Sequence, residues 1–124
     1  MIEISKAIIK KDDKYLLIKR ASHSKSFPGT WDFPGGKIDP GETPGQAVVR
    51  GTMEEISFKI EPEEELKIAE YHDDEYNLLF YYFIPEVISG ELKLSSEHSD
   101  FMWVTEEGAK ELELNPCVEL FFEK

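Results

Sequence analysis

The chain is poor in cysteine. Cys117 is the only one in 124 residues, so no internal disulfide forms and a reducing compartment fits best. Basic residues are also scarce: 14 Lys and Arg against 26 Asp and Glu leave a net charge of −12. That argues against duplex DNA or RNA as a partner, which would need clustered cations along the phosphate backbone. No long apolar run occurs. The longest, Leu78–Ile84, falls far short of the roughly 20 residues that span a membrane. The opening Met1-Ile2-Glu3-Ile4-Ser5-Lys6 has no basic region followed by an apolar block, so no signal peptide is read there. The expected location is the cytoplasm, with no membrane partner. Repeats, low-complexity tracts and linkers are absent, and one domain over 1–124 is expected.

What is present is a strand-rich pattern with two or three helices. Ile2 to Lys10 reads as a strand, Lys11 to Lys14 as a turn and Tyr15 to Arg20 as the returning strand, so a hairpin is expected at the start. Thr43 followed by Pro44 reads as an N-cap with proline at the first helical position. That helix should run to about Ile56, with Ala47, Val48 and Met53 facing the core. The acidic Glu61–Glu65 stretch reads as a solvated loop. Leu66 to Tyr71 and Tyr76 to Ile84 read as strands, a turn at Ser89-Gly90 precedes another short strand, and Phe101 to Val104 is a further strand. Thr105 should cap a helix over Glu106 to about Glu111, and Asn115-Pro116 should start a last one carrying Val118, Leu120, Phe121 and Phe122. Strands with helices in this order give an α/β or α+β layered domain.

The stretch from Gly36 to Phe58 carries the chemistry. Its glycines let backbone turn tightly and approach a ligand closely. Glu54 and Glu55 are adjacent carboxylates one turn past Arg50; such a pair repels unless a cation or an arginine lies between them. Mg²⁺ takes hard oxygen ligands of this kind together with substrate phosphates. Glu42 precedes Arg50 across the turn, and a Glu42–Arg50 pair would fix the loop against the helix.

This stretch resembles the Nudix box of Nudix hydrolases, MutT-like in pattern. Gly36, Glu42, Arg50, Glu54, Glu55 and Phe58 fall in the family register, and Gly29 to Lys37 resembles the family's entry into the box. Glu97 and the later Trp103-Val104 resemble a second acidic loop with its following strand. The resemblance implies an α/β/α sandwich around a mixed β-sheet. It implies metal-dependent hydrolysis of a nucleoside triphosphate or a nucleoside diphosphate-linked small molecule, by water attack at phosphorus. By the same carry-over Mg²⁺ (or Mn²⁺) is the cofactor, with Gly36 (through its carbonyl), Glu54, Glu55 and Glu97 as metal ligands. Glu55, Glu97 and Arg50 are the catalytic candidates, and Glu42 is structural. A homodimer is one expected state, as in many relatives.

The pattern fails at position 51, where the family has Glu and this chain has Gly51. On helical spacing Gly51 shares a face with Glu54 and Glu55, so a hole is expected in the carboxylate cluster. Two readings stay open. In one, the hydrolase draws its base from Glu97, Glu55 or Asp100. In the other, the chain is a catalytically weak or inactive nucleotide-binding module. Thr52 and Ser57 are milder departures.

Outside the box, Arg20 and Lys37 are candidates for phosphate contact, each weighed against a solvated surface. Trp31 reads as packing more than base stacking. His23, His72 and His98 lack metal-like spacing and read as surface or loop residues, His98 being the one beside an acidic candidate.

Overall fold

The computed structural model describes residues 1–123. These residues form eight strands and three helices in the order β1 (Ile2–Ala7), β2 (Lys10–Lys11), β3 (Lys14–Arg20), β4 (Trp31–Asp32), β5 (Gly35–Lys37), α1 (Pro44–Ile56), β6 (Lys59–His72), β7 (Asn77–Ser89), β8 (His98–Val104), α2 (Glu106–Ala109) and α3 (Pro116–Phe122). One sheet runs β5-β1-β7-β6 and is mixed, since β1 pairs parallel with β7 and antiparallel with β5. The other joins β2, β3 and β4, with β8 along β3. This is the expected α/β architecture, with a mixed sheet and helices packed on it.

Two apolar cores hold it together. Val48 and Ile56 of α1 pack with Ala7, Ile9, Leu16, Ile18, Ile60 and Phe83. Val118 and Phe122 of α3 pack with Leu17, Trp31, Phe33, Leu78, Phe80 and Tyr82. Trp31 is therefore a packing residue. Lys67 of β6 donates to the carbonyls of Leu120 and Phe121 at 2.9 and 2.8 Å, satisfying the C-terminal end of α3.

Several expectations are corrected. The opening hairpin forms across the expected turn but is shorter than expected: Ile2–Ala7 belongs to the mixed sheet, and only Lys10–Lys11 pairs back on β3. The acidic Glu61–Glu65 stretch lies within β6, because pairing with β7 overrides its weak strand propensity. Bulges between Pro62 and Glu64 and between Glu65 and Lys67 accommodate it. The short strand expected after Gly90 does not form; the chain runs irregularly from there to β8. Met53 is exposed, not core. The face of α1 turned inward is Ala47, Val48, Gly51, Thr52 and Ile56, and residue 53 projects away from it. The second helix is shorter than expected and stops at Ala109.

The local start signals hold. Thr43 caps α1 and forms a capping box with Gln46, an arrangement whose N-cap is worth about 1 kcal/mol. Thr105 and Asn115 cap the later helices as their side chains predict.

Candidate active site

Glycine brings three elements together. Gly35 of β5 lies so close to β1 that an added Cβ would sit 2.0 Å from the Ser5 carbonyl oxygen. On its other side, a Cβ at Gly51 of α1 would sit 2.4 Å from the Gly35 carbonyl oxygen. Real Cβ atoms do not make such contacts, so α1 and β5 touch backbone to backbone. The carboxylate missing at Gly51 leaves no empty space behind it: the room that a side chain would need is filled by β5. This close approach also sets Glu55. The Gly35 N–H donates to Glu55 Oε1 at 2.9 Å.

Glu55 is consequently drawn inward. Burial pushes its carboxyl up to about 7, against the pull of nearby Lys6 and the Gly35 N–H. Beside it opens a cleft of about 380 Å³. Its lining includes Gly35, Gly36, Lys37 and Glu55, the apolar and aromatic Ile2, Ile4, Phe27, Tyr76, Leu78 and Phe80, and the polar Lys6, Arg20, Asp32 and Asn115. A larger groove of about 950 Å³ lies beside α3 between Phe27 and Phe122 and holds none of the candidates.

The candidates divide. Gly36, Lys37, Arg20 and Glu55 line the cleft; Glu42, Arg50, Glu54 and Glu97 do not. Arg50 is a clamp. Its Nε and Nη2 donate to Glu42 at 2.8 and 2.9 Å, Nη2 also donates to the Lys37 carbonyl at 2.6 Å, and Nη1 reaches Glu54 at 3.3 Å. These bonds hold the Glu42 carboxyl down at about 2. Glu97 is exposed on the loop before β8. That loop is tied to α1 where the Ser95 N–H donates to the Glu55 carbonyl at 3.0 Å. Among the described residues no three Asp, Glu, His or Cys side chains converge as a metal-binding group.

Sequence reasoning missed a buried polar wall. Lys6 Nζ lies 3.0 Å from Asp32 Oδ1, Arg20 Nη1 donates to Asp32 Oδ2 at 3.1 Å, and the Cys117 thiol donates to Asp32 Oδ1 at 2.9 Å. Lys6 and Asp32 are almost fully buried. Burial opposes their charges, yet the pairing prevails: Lys6 is pushed up to about 12 and Asp32 is held below the usual carboxylate range. Burial and the Asp32 charge push the Cys117 thiol well up, so it stays neutral. Arg20 also donates to the Ser26 carbonyl and to the Ser24 and Ser26 hydroxyls. It thereby shapes the loop on which Phe27 takes a left-handed φ of 47°. The sequence did hold one signal for Lys6. It continues the Ile2, Ile4 alternation and so shares the face that lines the cleft. His98 is also buried rather than on the surface, with neither ring nitrogen partnered among the described residues.

The NUDIX domain family matches residues 4–123. The chain belongs to the Nudix family. It is 31% identical to the nucleoside triphosphatase NudI of Enterobacter sp. (strain 638), over 93% of this chain and 89% of that one. It is 34% identical to the CTP pyrophosphohydrolase of Escherichia coli (strain K12), over 94% of this chain and 85% of that one. Among solved structures, it resembles a MutT protein from Methanosarcina mazei Go1 with a TM-score of 0.87 and 28% identity, over 98% of this chain and 89% of that one. It is thus a MutT-like Nudix hydrolase, and Nudix hydrolases use divalent cations.

The donor set suits such a cation. Glu54, Glu55 and the Gly36 carbonyl are hard oxygens, as Mg²⁺ requires. Glu55 carries a carboxyl that burial drives toward neutrality, and a neighbouring cation would restore its charge. The Arg50–Glu54 contacts are long and exposed, so giving them up to a cation would cost Glu54 little.

Proposed function

We propose that this Nudix hydrolase splits a nucleoside triphosphate, or a nucleoside diphosphate linked to another group, at a phosphoanhydride bond. Water adds at phosphorus, one P–O bridge breaks, and a nucleoside monophosphate leaves with pyrophosphate or the linked phosphate. Mg²⁺ is the favoured cation, with Mn²⁺ as its substitute, held by Glu54, Glu55 and the Gly36 carbonyl. Bound there, it supplies charge to the phosphates and lowers the barrier to attack. Lys37 neutralises phosphate charge at the cleft edge. Glu97, on the loop tied to Glu55, takes the proton of the attacking water. Arg50 keeps the Gly36–Glu42 loop and α1 in register.

The observation that carries this reading is the single cleft that joins Glu55, Gly36 and Lys37 to an apolar, aromatic wall. One part suits phosphates and a cation, the other a nucleobase. The names of the two relatives, a nucleoside triphosphatase and a CTP pyrophosphohydrolase, support the same substrate class.

The test is phosphate release from a panel of nucleotides with Mg²⁺ and then Mn²⁺, coupled to a pyrophosphatase, with Glu55→Gln as control. Turnover lost in the control is the expected result. No turnover on any compound, with metal-linked nucleotide binding intact, would instead support a binding module.

A further inference from the structure

Glu97 is exposed, on an irregular stretch between β7 and β8. A general base has to stand within hydrogen-bond reach of the water it activates. Loops hold such positions less firmly than helices or strands, unless supporting bonds fix them. The stretch is strapped to the C-terminal end of α1. That helix closes on Ser57 with a left-handed φ of 64°, and carbonyls of its last turn have no partner within the helix. Two N–H groups of the strap take them: Lys93 donates to the Ile56 carbonyl and Ser95 to the Glu55 carbonyl, both at 3.0 Å. Leu92 and Leu94 pack instead on the core around Val48 and Ile56, the alternation of an extended chain. Gly90 begins the strap. At its φ of 120°, a Cβ would sit 2.3 Å from the Ser57 carbonyl oxygen, so glycine alone allows the approach.

Ser95 is where the strap meets Glu97. Its N–H, its hydroxyl and its carbonyl each hold a different place. The N–H sits on the Glu55 carbonyl, Oγ accepts the Glu97 N–H at 3.3 Å, and the carbonyl accepts the His98 N–H at 3.2 Å. The Glu97 carbonyl in turn accepts the Ala21 N–H at 2.9 Å, just past β3. The main chain of Glu97 is therefore held on both sides while its side chain stays free. One residue joins the main chain of Glu55, which lines the cleft, to that of Glu97. The Oγ bond is long and exposed, so it adds little to global stability.

We propose that Ser95 is a positioning residue for hydrolysis, its N–H on Glu55 and its Oγ on Glu97 setting the Glu97 carboxylate where the attacking water stands. This rests on the reading of Glu97 as the group that takes the proton of that water. Ser95 itself touches neither water nor nucleotide and acts only through the main chain of Glu97. The strap hangs on the backbone of α1, away from the groups that contact the nucleotide. Its loss should therefore fall on kcat and leave KM in place.

The experiment measures kcat and KM with Mg²⁺ for the parent, Ser95→Ala, Ser95→Thr, Glu97→Gln and the Ser95→Ala/Glu97→Gln pair, on the nucleotide the parent turns over best. Ser95→Ala should lower kcat about tenfold with KM unchanged. Ser95→Thr keeps the accepting oxygen and should restore the parent's rate. In the Glu97→Gln background Ser95→Ala should cost nothing further, since the group it positions is gone. Hydrogen exchange gives a readout without turnover: the Glu97 amide should exchange about tenfold faster in Ser95→Ala and at the parent's rate in Ser95→Thr. Unchanged exchange, a loss carried by KM, no recovery in Ser95→Thr, or an undiminished loss in the Glu97→Gln background would each overturn the inference. A slow Glu97→Gln beside a Ser95→Ala as fast as the parent leaves the hydrolase reading standing and overturns this role alone. A Glu97→Gln as fast as the parent removes Glu97 from the reaction, and Ser95 with it. A parent that turns over no nucleotide refutes the hydrolase reading and this role together.

Discussion

Gly51 and Gly35 meet across the joint between α1 and β5 with no room for a side chain, a Cβ on Gly51 falling 2.4 Å from the Gly35 carbonyl oxygen. On sequence alone, restoring the family's glutamate at position 51 should speed turnover if the missing carboxylate limits catalysis. The geometry reverses that expectation. Replacing a mid-helix glycine gains about 1 kcal/mol in helix propensity. Overpacking against backbone costs roughly 1–3 kcal/mol, and backbone does not swing aside as a side chain would. Gly51→Ala and Gly51→Glu should therefore both lower the denaturation midpoint, and Gly51→Glu should be no faster than the parent. A Gly51→Glu protein as stable as the parent and faster on nucleotide would show that the joint opens freely.

The carboxyl of Glu55 gives a second prediction, in pH. Its folded value, about 7, stands above the ordinary glutamate value near 4.3. The folded chain thus holds the proton more tightly than the unfolded chain. Its contribution to stability is full below about pH 4.3 and is lost as pH rises through about 7. Glu55→Gln removes this dependence. In metal-free buffer the variant should gain on the parent by on the order of 2 kcal/mol between pH 4.5 and 7.5, allowing for the carboxyl's partial exposure to the cleft. The same variant should lose nucleotide turnover by a hundredfold or more, on the order of what removing a principal charged group of a site costs. Urea denaturation at the two pH values checks the first part; parallel curves for parent and variant would count against a buried, proton-holding Glu55.

His98 makes the opposite contribution. Burial depresses its imidazole to about 4, below the ordinary value near 6.5. The folded chain binds its proton more weakly, so the stability is full above about pH 6.5 and is lost as pH falls toward 4. The loss is on the order of 3 kcal/mol for a shift of that size. His98→Leu should flatten this acid limb. An NMR titration of the His98 ring reports the midpoint directly, and a midpoint near 6.5 would mean that the ring reaches water in solution.

Why some of this was legible in the sequence and some was not follows from the range of the forces. The caps at Thr43, Thr105 and Asn115 act within three residues, so their signals are local and were read correctly. The box register from Gly36 to Phe58 was legible for the same reason: loop and helix are contiguous. The first half of β6 was not, because Glu61 to Glu65 carry little strand preference and are held by partners on β7 such as Glu86 and Phe83, far along the chain. Gly51 shows the limit most plainly. Sequence reveals a missing carboxylate, whereas the reason that glycine fits lies in the backbone of Gly35. Lys6, Asp32 and Cys117 meet across 85 positions in the case of the last two, which no local pattern encodes.

Arg50 supplies the last prediction. Its guanidinium bridges Glu42, the Lys37 carbonyl and Glu54 at once. A lysine ammonium is a point charge and cannot reproduce that fork. With the Glu42 carboxyl held at about 2, the pair stays ionised over the whole working pH range, so its effect should show no titration near neutrality. Arg50 is one-third exposed, and an exposed pair adds under about 1 kcal/mol to global stability. Arg50→Lys should therefore leave the denaturation midpoint nearly in place. Its cost should fall on the loop it clamps. Hydrogen exchange at the Ile38 and Glu42 amides should quicken, and kcat/KM should drop roughly tenfold through poorer positioning. A variant with faster loop exchange but the parent's kcat/KM would separate loop order from catalysis and relieve Arg50 of any role in turnover.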